Sequence, residues 1–197
     1  MIEFREAKRE DCRQIAELYR LSSDGLADYI WTKLAMPGED ILDVGERCYE
    51  RENSVFSYKN CSIVEVDGVI AGMMVAFPIV SGERAADEKV NEDPVLAPYS
   101  RLEEENSYYI CGVALFTEYR DKGLGHQFMA LAKQQAMLRK LNKLSLVVFE
   151  NNLNAIRIYK DLGYKEIKRE KIVEHPMINH TGHAILMIKT LYKSIDK

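Results

Sequence analysis

The sequence predicts a mixed α/β fold, and three observations carry that reading. Two apolar, strand-forming runs, Cys61 to Glu65 and Val69 to Phe77, are joined by Asp67-Gly68, a pair suited to a tight hairpin turn. Later, from Tyr108 onward, strand, helix, strand, helix and strand patterns alternate. Between the first of those strands and its helix stands a glycine-bearing run, Tyr119 to His126.

In chain order, residues 2–7 read as a short strand. Asp11, followed by Cys12, Arg13 and Gln14, has the spacing of a capping box before Ile15, Leu18 and Tyr19, which share a helix face. Ser23-Asp24-Gly25 and Pro37-Gly38-Glu39-Asp40 punctuate the next stretch, leaving two short helices, Leu26 to Leu34 and Ile41 to Arg51. The hairpin follows. From Pro78 to Asn106 the chain turns polar and acidic, with Pro94 and Pro98 and no sustained period, which predicts a long excursion holding at most a short helical turn. Such an excursion can close a site, form an interface or be solvated. Tyr108 to Leu115 is an apolar strand. Gly123 to Leu141 is a long helix with Leu124, Phe128, Leu131, Gln135 and Leu138 near one face and small Ala132 and Ala136 beside it. A strand at Leu144 to Phe149, a helix at Asn152 to Leu162, a strand beginning at Tyr164 and a closing strand at Ala184 to Ile188 complete the order.

Composition limits the function classes. With 197 residues, 47% of them apolar, the chain can bury a core of its own, and no repeat or linker divides it, so residues 1–197 are expected to form one domain. Lys and Arg number 27 against 31 Asp and Glu, a formal charge of -4, so neither nucleic acid nor a membrane surface is an expected partner. Cys12, Cys48, Cys61 and Cys111 show no paired short spacing, which argues against a disulfide framework or a zinc knuckle and for a reducing, cytoplasmic setting. The opening residues are too charged for an export signal, and no apolar run approaches the ~20 residues that span a bilayer.

The run Tyr119-Arg120-Asp121-Lys122-Gly123-Leu124-Gly125-His126 is the strongest chemical signal. Placed at a helix start, consecutive backbone N–H groups can receive phosphate oxygens, the two glycines allow close approach, and Arg120 and Lys122 add charge. It is not a P-loop, since no Gly-Lys followed by Ser or Thr ends it, and it lacks the three-glycine dinucleotide pattern. A plain helix-entry turn would show a glycine pair as well.

The run Arg120 to Gly125, R-D-K-G-L-G, resembles the pyrophosphate-binding signature of the GCN5-related N-acetyltransferase (GNAT) superfamily. N-L-N-A-I-R-I-Y-K-D-L-G-Y at Asn152 to Tyr164 resembles its second signature. Thr117 stands where many relatives have proline. The resemblance, which spans mainly Tyr108 to Tyr164, implies the acyl-CoA N-acyltransferase fold, a mixed and mostly antiparallel central sheet that splays at its centre and is flanked by helices. It implies acetyl-CoA as cosubstrate: the backbone of Val113, Ala114 and Leu115 on the pantetheine arm, Arg120 to His126 (Asp121, Lys122, Gly123, Leu124 and Gly125 between them) on the pyrophosphate, and Asn152 near the arm. Tyr159 would protonate the departing thiolate; its alternative role is packing on the helix face that it shares with Ile156. The resemblance also allows a homodimer.

The acceptor side is more open. Glu65 or the Glu103-Glu104-Glu105 run could supply a carboxylate base, an exposed charge cluster being otherwise a solvated face. Tyr108 or Tyr109 could orient a relaying water. His175, His180 and His183 have suitable intrinsic pKa values but no metal-ligand spacing. Cys111 belongs to an apolar strand and reads as core. Asp24, Tyr29 and Trp31 form a candidate acceptor wall, their alternative being helix packing. The expected activity is acetyl transfer to a primary amine of a small molecule or peptide by direct attack, without metal. Acetylation of a protein amino terminus and an acyl-CoA-binding module without turnover are the alternatives.

Overall fold

The computed structural model describes residues 1–81 and 93–191. Seven strands, β1 (Ile2–Glu6), β2 (Cys61–Val66), β3 (Val69–Ile79), β4 (Ser107–Leu115), β5 (Lys143–Phe149), β6 (Lys165–Lys171) and β7 (His183–Thr190), follow the hydrogen-bonded order β1-β2-β3-β4-β5-β7-β6. The helices are α1 (Cys12–Ser22), α2 (Leu26–Leu34), α3 (Ile41–Tyr49), the single turn α4 (Ala97–Ser100), α5 (Leu124–Leu138) and α6 (Leu153–Asp161). The mixed, mostly antiparallel sheet with flanking helices is therefore present. The excursion after the hairpin is shorter than its composition suggests, because β3 runs on through Pro78 to Ile79. Residues 82–92 of that excursion lie outside the described residues. Among the described residues no helix is long and apolar enough to cross a membrane.

The chain groups into two compact units. The first comprises Met1–Ala76, Cys111–Ala130 and Pro176–Asn179. Here β1 pairs antiparallel with β2 from Ile2↔Val66 to Glu6↔Ser62, and β2 turns into β3 through Asp67 and Gly68, both at positive φ (52° and 80°) as a tight twisted hairpin requires. Ala71 is an extra residue in β3, since Val64 pairs with Gly72 and Glu65 with Ile70. Asp11 does not cap α1 with its side chain. The carboxylate turns instead to Arg5 and to the Lys8 amide, because a charged group at 4% exposure needs a counter-charge more than the helix needs a cap. Helices α1, α2 and α3 meet around Tyr19, whose ring lies 5.7 Å from Tyr49, 5.9 Å from Phe56 and 6.2 Å from Trp31. A Cβ on Gly45 would stand 2.6 Å from the Trp31 ring, so α3 presents a bare backbone to that indole.

The second unit comprises Phe77–Ile110, Leu131–His175 and His180–Lys197. β5 pairs antiparallel with β7 over its whole length, from Lys143↔Thr190 to Phe149↔Ala184. β6 closes the order against β7, with a register shift at Glu166/Lys168. Its outer edge, KEIKREK, is charged at nearly every position, which disfavours further strand pairing. The parallel β4–β5 ladder holds Tyr108↔Leu144 and Tyr109↔Ser145 and, among the described residues, no further pair, although β4 has 9 residues and β5 has 7. Buried Ser107 and Ser145 close its start, their hydroxyl oxygens 2.6 Å apart.

The α5 face differs from the expected one. Leu124, Phe128, Ala132 and Ala136 are buried at strict four-residue spacing, while Leu138 is 82% exposed at the final helical residue.

Candidate active site

In the first unit, β4 ends at Leu115 and a 3₁₀ turn, Thr117–Tyr119, leads into the glycine-bearing loop. Thr117 fits that turn without proline, since Arg120 N–H donates to its carbonyl at 3.2 Å. Exposed Arg120 donates through Nε to the Leu115 carbonyl at 3.2 Å, tying the loop to the strand exit. Among the described residues, no acceptor takes the amide hydrogens of Asp121, Lys122, Gly123, Leu124, Gly125 and His126. Gly123, at φ 76°, accepts from Gln127 N–H at 3.2 Å and so opens α5. A Cβ built on Gly123 or Gly125 would meet nothing within 4 Å, so the space beside these two glycines is open. Lys122 lies over the Tyr119 ring, its Nζ 5.4 Å from the centroid. Six unengaged amides, a helix N-terminus and two cations make this loop chemically suited to a pyrophosphate.

β3 sets the approach of β4 beside it. A Cβ on Gly72 would stand 2.5 Å from the Ala114 carbonyl oxygen and 2.4 Å from Leu115 Cδ2, and Phe116 N–H donates to the Ala71 carbonyl at 3.0 Å. Glycine at 72 thus fixes the backbone of Ala114 and Leu115, which with half-buried Val113 are the residues expected on a pantetheine arm.

In the second unit, Asn152 caps α6: its Oδ1 accepts from Ala155 N–H at 3.2 Å, leaving the amide nitrogen without a partner among the described residues. Tyr159, seven residues on, lies with its ring 5.8 Å from that of Tyr164. Its hydroxyl makes no hydrogen bond among the described residues, and burial pushes its pKa up, so the phenol stays protonated at neutral pH. The neighbouring Tyr164 hydroxyl is also buried without a hydrogen-bond partner among the described residues.

The remaining candidates are scattered. Glu65 is engaged by Arg5, whose Nε donates to Oε1 at 2.8 Å, in the same cluster as Asp11. Trp31 and Tyr29 are both buried, at 3% and 6% exposure, Trp31 against Gly45 and Tyr29 beneath the Lys33 ammonium at 4.3 Å. Asp24, half-buried at φ 50°, accepts through its carbonyl from Asn179 N–H at 3.0 Å. Tyr108 donates its hydroxyl hydrogen to Gln135 Oε1 at 2.6 Å beneath Arg139, and Tyr109 packs edge-on against Phe77 at 5.6 Å. Glu104 pairs with Lys143, and Glu105 accepts from Ser81 at 2.8 Å. Burial raises the Cys111 thiol to about 11, against a lowering contact from Tyr19, which leaves it an unreactive packing group. Of the histidines, His180 stacks on Phe149 and His183 meets Glu150, a partner that no local spacing in the sequence announces. Among the described residues no cluster of His, Cys, Asp and Glu could hold a metal ion.

Comparison with known proteins gives three results. The model of the acetyltransferase (GNAT) family matches residues 28–164. The spermine/spermidine N(1)-acetyltransferase of Bacillus subtilis strain 168 is 42% identical over 48 residues, 24% of this chain and 32% of its own, so the chain spans about a third of that curated relative's length. Among solved structures, the Drosophila melanogaster polyamine N acetyltransferase, which catalyses the formation of N acetylagmatine, has a TM-score of 0.68 at 15% identity, covering 97% of this chain and all (100%) of its own. The ribosomal-protein-alanine N-acetyltransferase of Brucella melitensis has a TM-score of 0.62 at 19% identity, covering 96% of this chain and 99% of its own. Likeness to these two structures is a likeness of fold.

Proposed function

The chain belongs to the GNAT family of acetyltransferases, and from that premise we propose that it transfers the acetyl group of acetyl-CoA to a primary amine of a small cationic molecule of the polyamine or agmatine kind. The observation that carries the cosubstrate is the run of amides from Asp121 to His126 that no acceptor takes among the described residues, with open space beside Gly123 and Gly125. Acetyl-CoA supplies an acetyl thioester already activated towards an amine.

The protein's own part is binding, orientation and proton transfer. Arg120, Lys122 and the amides of Asp121 to His126 hold the pyrophosphate, with charge-assisted bonds from the two cations. The backbone of Val113, Ala114 and Leu115 lies along the pantetheine arm, and the Asn152 amide nitrogen donates to it. Tyr159 Oη, protonated and without a competing hydrogen bond, hands its proton to the departing sulfur. An ammonium cannot attack a carbonyl, so the acceptor must shed a proton before the N–C bond forms. Glu65 is engaged with Arg5, which leaves it serving the sheet. The small-amine reading draws support from the Bacillus and Drosophila relatives and from the net charge of -4, which favours cationic acceptors over anionic ones.

Calorimetry with acetyl-CoA, followed by a panel of spermidine, agmatine and short amino-terminal peptides, tests this reading. Saturable binding and acetylated spermidine or agmatine support it; acetylated peptide alone favours the protein amino-terminal alternative, and binding without product the module without turnover. Arg120→Glu is expected to weaken acetyl-CoA binding by about 10- to 100-fold, the worth of one or two charge-assisted hydrogen bonds.

A further inference from the structure

Beyond Phe149 the chain leaves β5 through Glu150, whose carboxylate turns back onto the first residue of β7. Oε1 accepts the His183 backbone N–H at 2.9 Å, and His183 Nδ1 lies 3.2 Å from Oε1 and 3.1 Å from Oε2. The Glu150 N–H in turn donates to the His183 carbonyl at 2.9 Å. A Cβ on Gly182 would stand 1.9 Å from Glu150 Oε1, and Gly182 adopts φ +87°, so the backbone beside this carboxylate is one that only glycine provides. The hydrogen bond from His183, against the smaller effect of burial, holds the Glu150 carboxyl below the usual carboxylate range.

With Nδ1 facing a carboxylate, the neutral ring carries its proton there and its lone pair on Nε2. Nε2 has no partner among the described residues, and the side chain is 38% exposed. Glu150 precedes by two residues Asn152, the cap of the helix that carries Tyr159. The charged and titratable neighbours are Arg169 on β6, 3.6 Å from Glu150 Oε2, Lys171, the ladder partner of His183, and His180, stacked on Phe149 at 4.2 Å.

We propose that His183 Nε2 is the base that takes the proton from the acceptor ammonium and that Glu150 is its positioning residue, an assignment that rests on the transferase reading above. The ammonium N–H bond breaks with its electron pair left on nitrogen, and the proton binds Nε2. The freed amine forms the N–C bond as the C–S bond breaks. Tyr159 gives its proton to sulfur and regains the second amine proton, and the imidazolium releases its own to water. One ammonium and one thioester thus become one amide, one thiol and one hydrated proton.

The test is steady-state acetylation of spermidine by the full chain between about pH 6 and 9, with acetyl-CoA affinity read by calorimetry for each variant. His183→Ala is expected to lower kcat/KM by about 100-fold, to leave acetyl-CoA affinity unchanged and to regain activity with added imidazole. Glu150→Ala, which removes the acceptor that orients Nδ1, is expected to lower kcat by about tenfold with the KM for spermidine and the acetyl-CoA affinity unchanged, and Glu150→Gln, which keeps an acceptor there, to recover most of that loss. Turnover by His183→Ala within about twofold of wild type, or a loss in a folded, cofactor-binding variant that imidazole does not rescue together with a Glu150→Ala kcat equal to that of wild type, overturns the base assignment alone. A wild-type chain that binds acetyl-CoA and acetylates no amine overturns the transferase reading and the base with it.

Discussion

Arg5 grips Asp11 with two parallel hydrogen bonds, Nη1 to Oδ2 at 2.7 Å and Nη2 to Oδ1 at 3.0 Å, across the first connection of the chain. Burial raises the Asp11 pKa, but the Arg5 bonds, the Lys8 amide and both cations together outweigh it, so the carboxyl ionises below its ordinary value. A folded-state pKa below the unfolded one adds stability that is complete above about pH 4 and is lost as pH falls through the folded value. Asp11→Asn should therefore lower the unfolding free energy by about 2 to 4 kcal/mol at neutral pH, with a smaller difference from wild type near pH 3. Urea unfolding at the two pH values reads both effects.

Glu65 completes that cluster from β2, where its Oε1 accepts from Arg5 Nε. Glu65→Gln should keep kcat within about threefold while lowering stability by about 1 kcal/mol. Steady-state kinetics beside urea unfolding separates the two; a large fall in kcat with unchanged stability would return Glu65 to the chemistry.

Gly72 leaves no room for a side chain between β3 and the Ala114–Leu115 backbone. Gly72→Ala should cost about 1 to 3 kcal/mol of stability through overpacking. It should also weaken acetyl-CoA by about tenfold, or 1.4 kcal/mol, by displacing the backbone proposed to line its arm. Thermal melts and calorimetry on one preparation test both.

Tyr159 carries a hydroxyl that makes no hydrogen bond among the described residues, so removing it breaks none of theirs. Tyr159→Phe should leave the melting temperature and acetyl-CoA affinity unchanged and reduce kcat by about 100-fold. Unaltered kcat would make Tyr159 a packing residue.

The elements with strong local signals were legible from sequence. Asp67-Gly68 imposes a turn on any chain that carries it, and the α2 and α3 ranges follow from their punctuation at Gly25 and Asp40. The loop proposed to hold the pyrophosphate was readable because such a site uses backbone amides, which need only glycine and a helix start. What stayed hidden depends on residues far apart in sequence. The engagement of Glu65 needs Arg5 on another strand, and the Glu150–His183 pair needs the β5–β7 ladder to bring together residues 33 positions apart. Tyr29 and Trp31 cannot share one helix face, yet both are buried, because a short helix in a crowded unit is covered on more than one side.

The most direct measurement of the central claim is mass spectrometry of the products formed by the purified chain with acetyl-CoA and spermidine, with release of free thiol followed in parallel. The account predicts one acetyl group per spermidine amine modified, one thiol per acetyl transferred, and saturation in both substrates. Acetyl-CoA binding with no acetylated amine, or thiol release without amide formation, would contradict it.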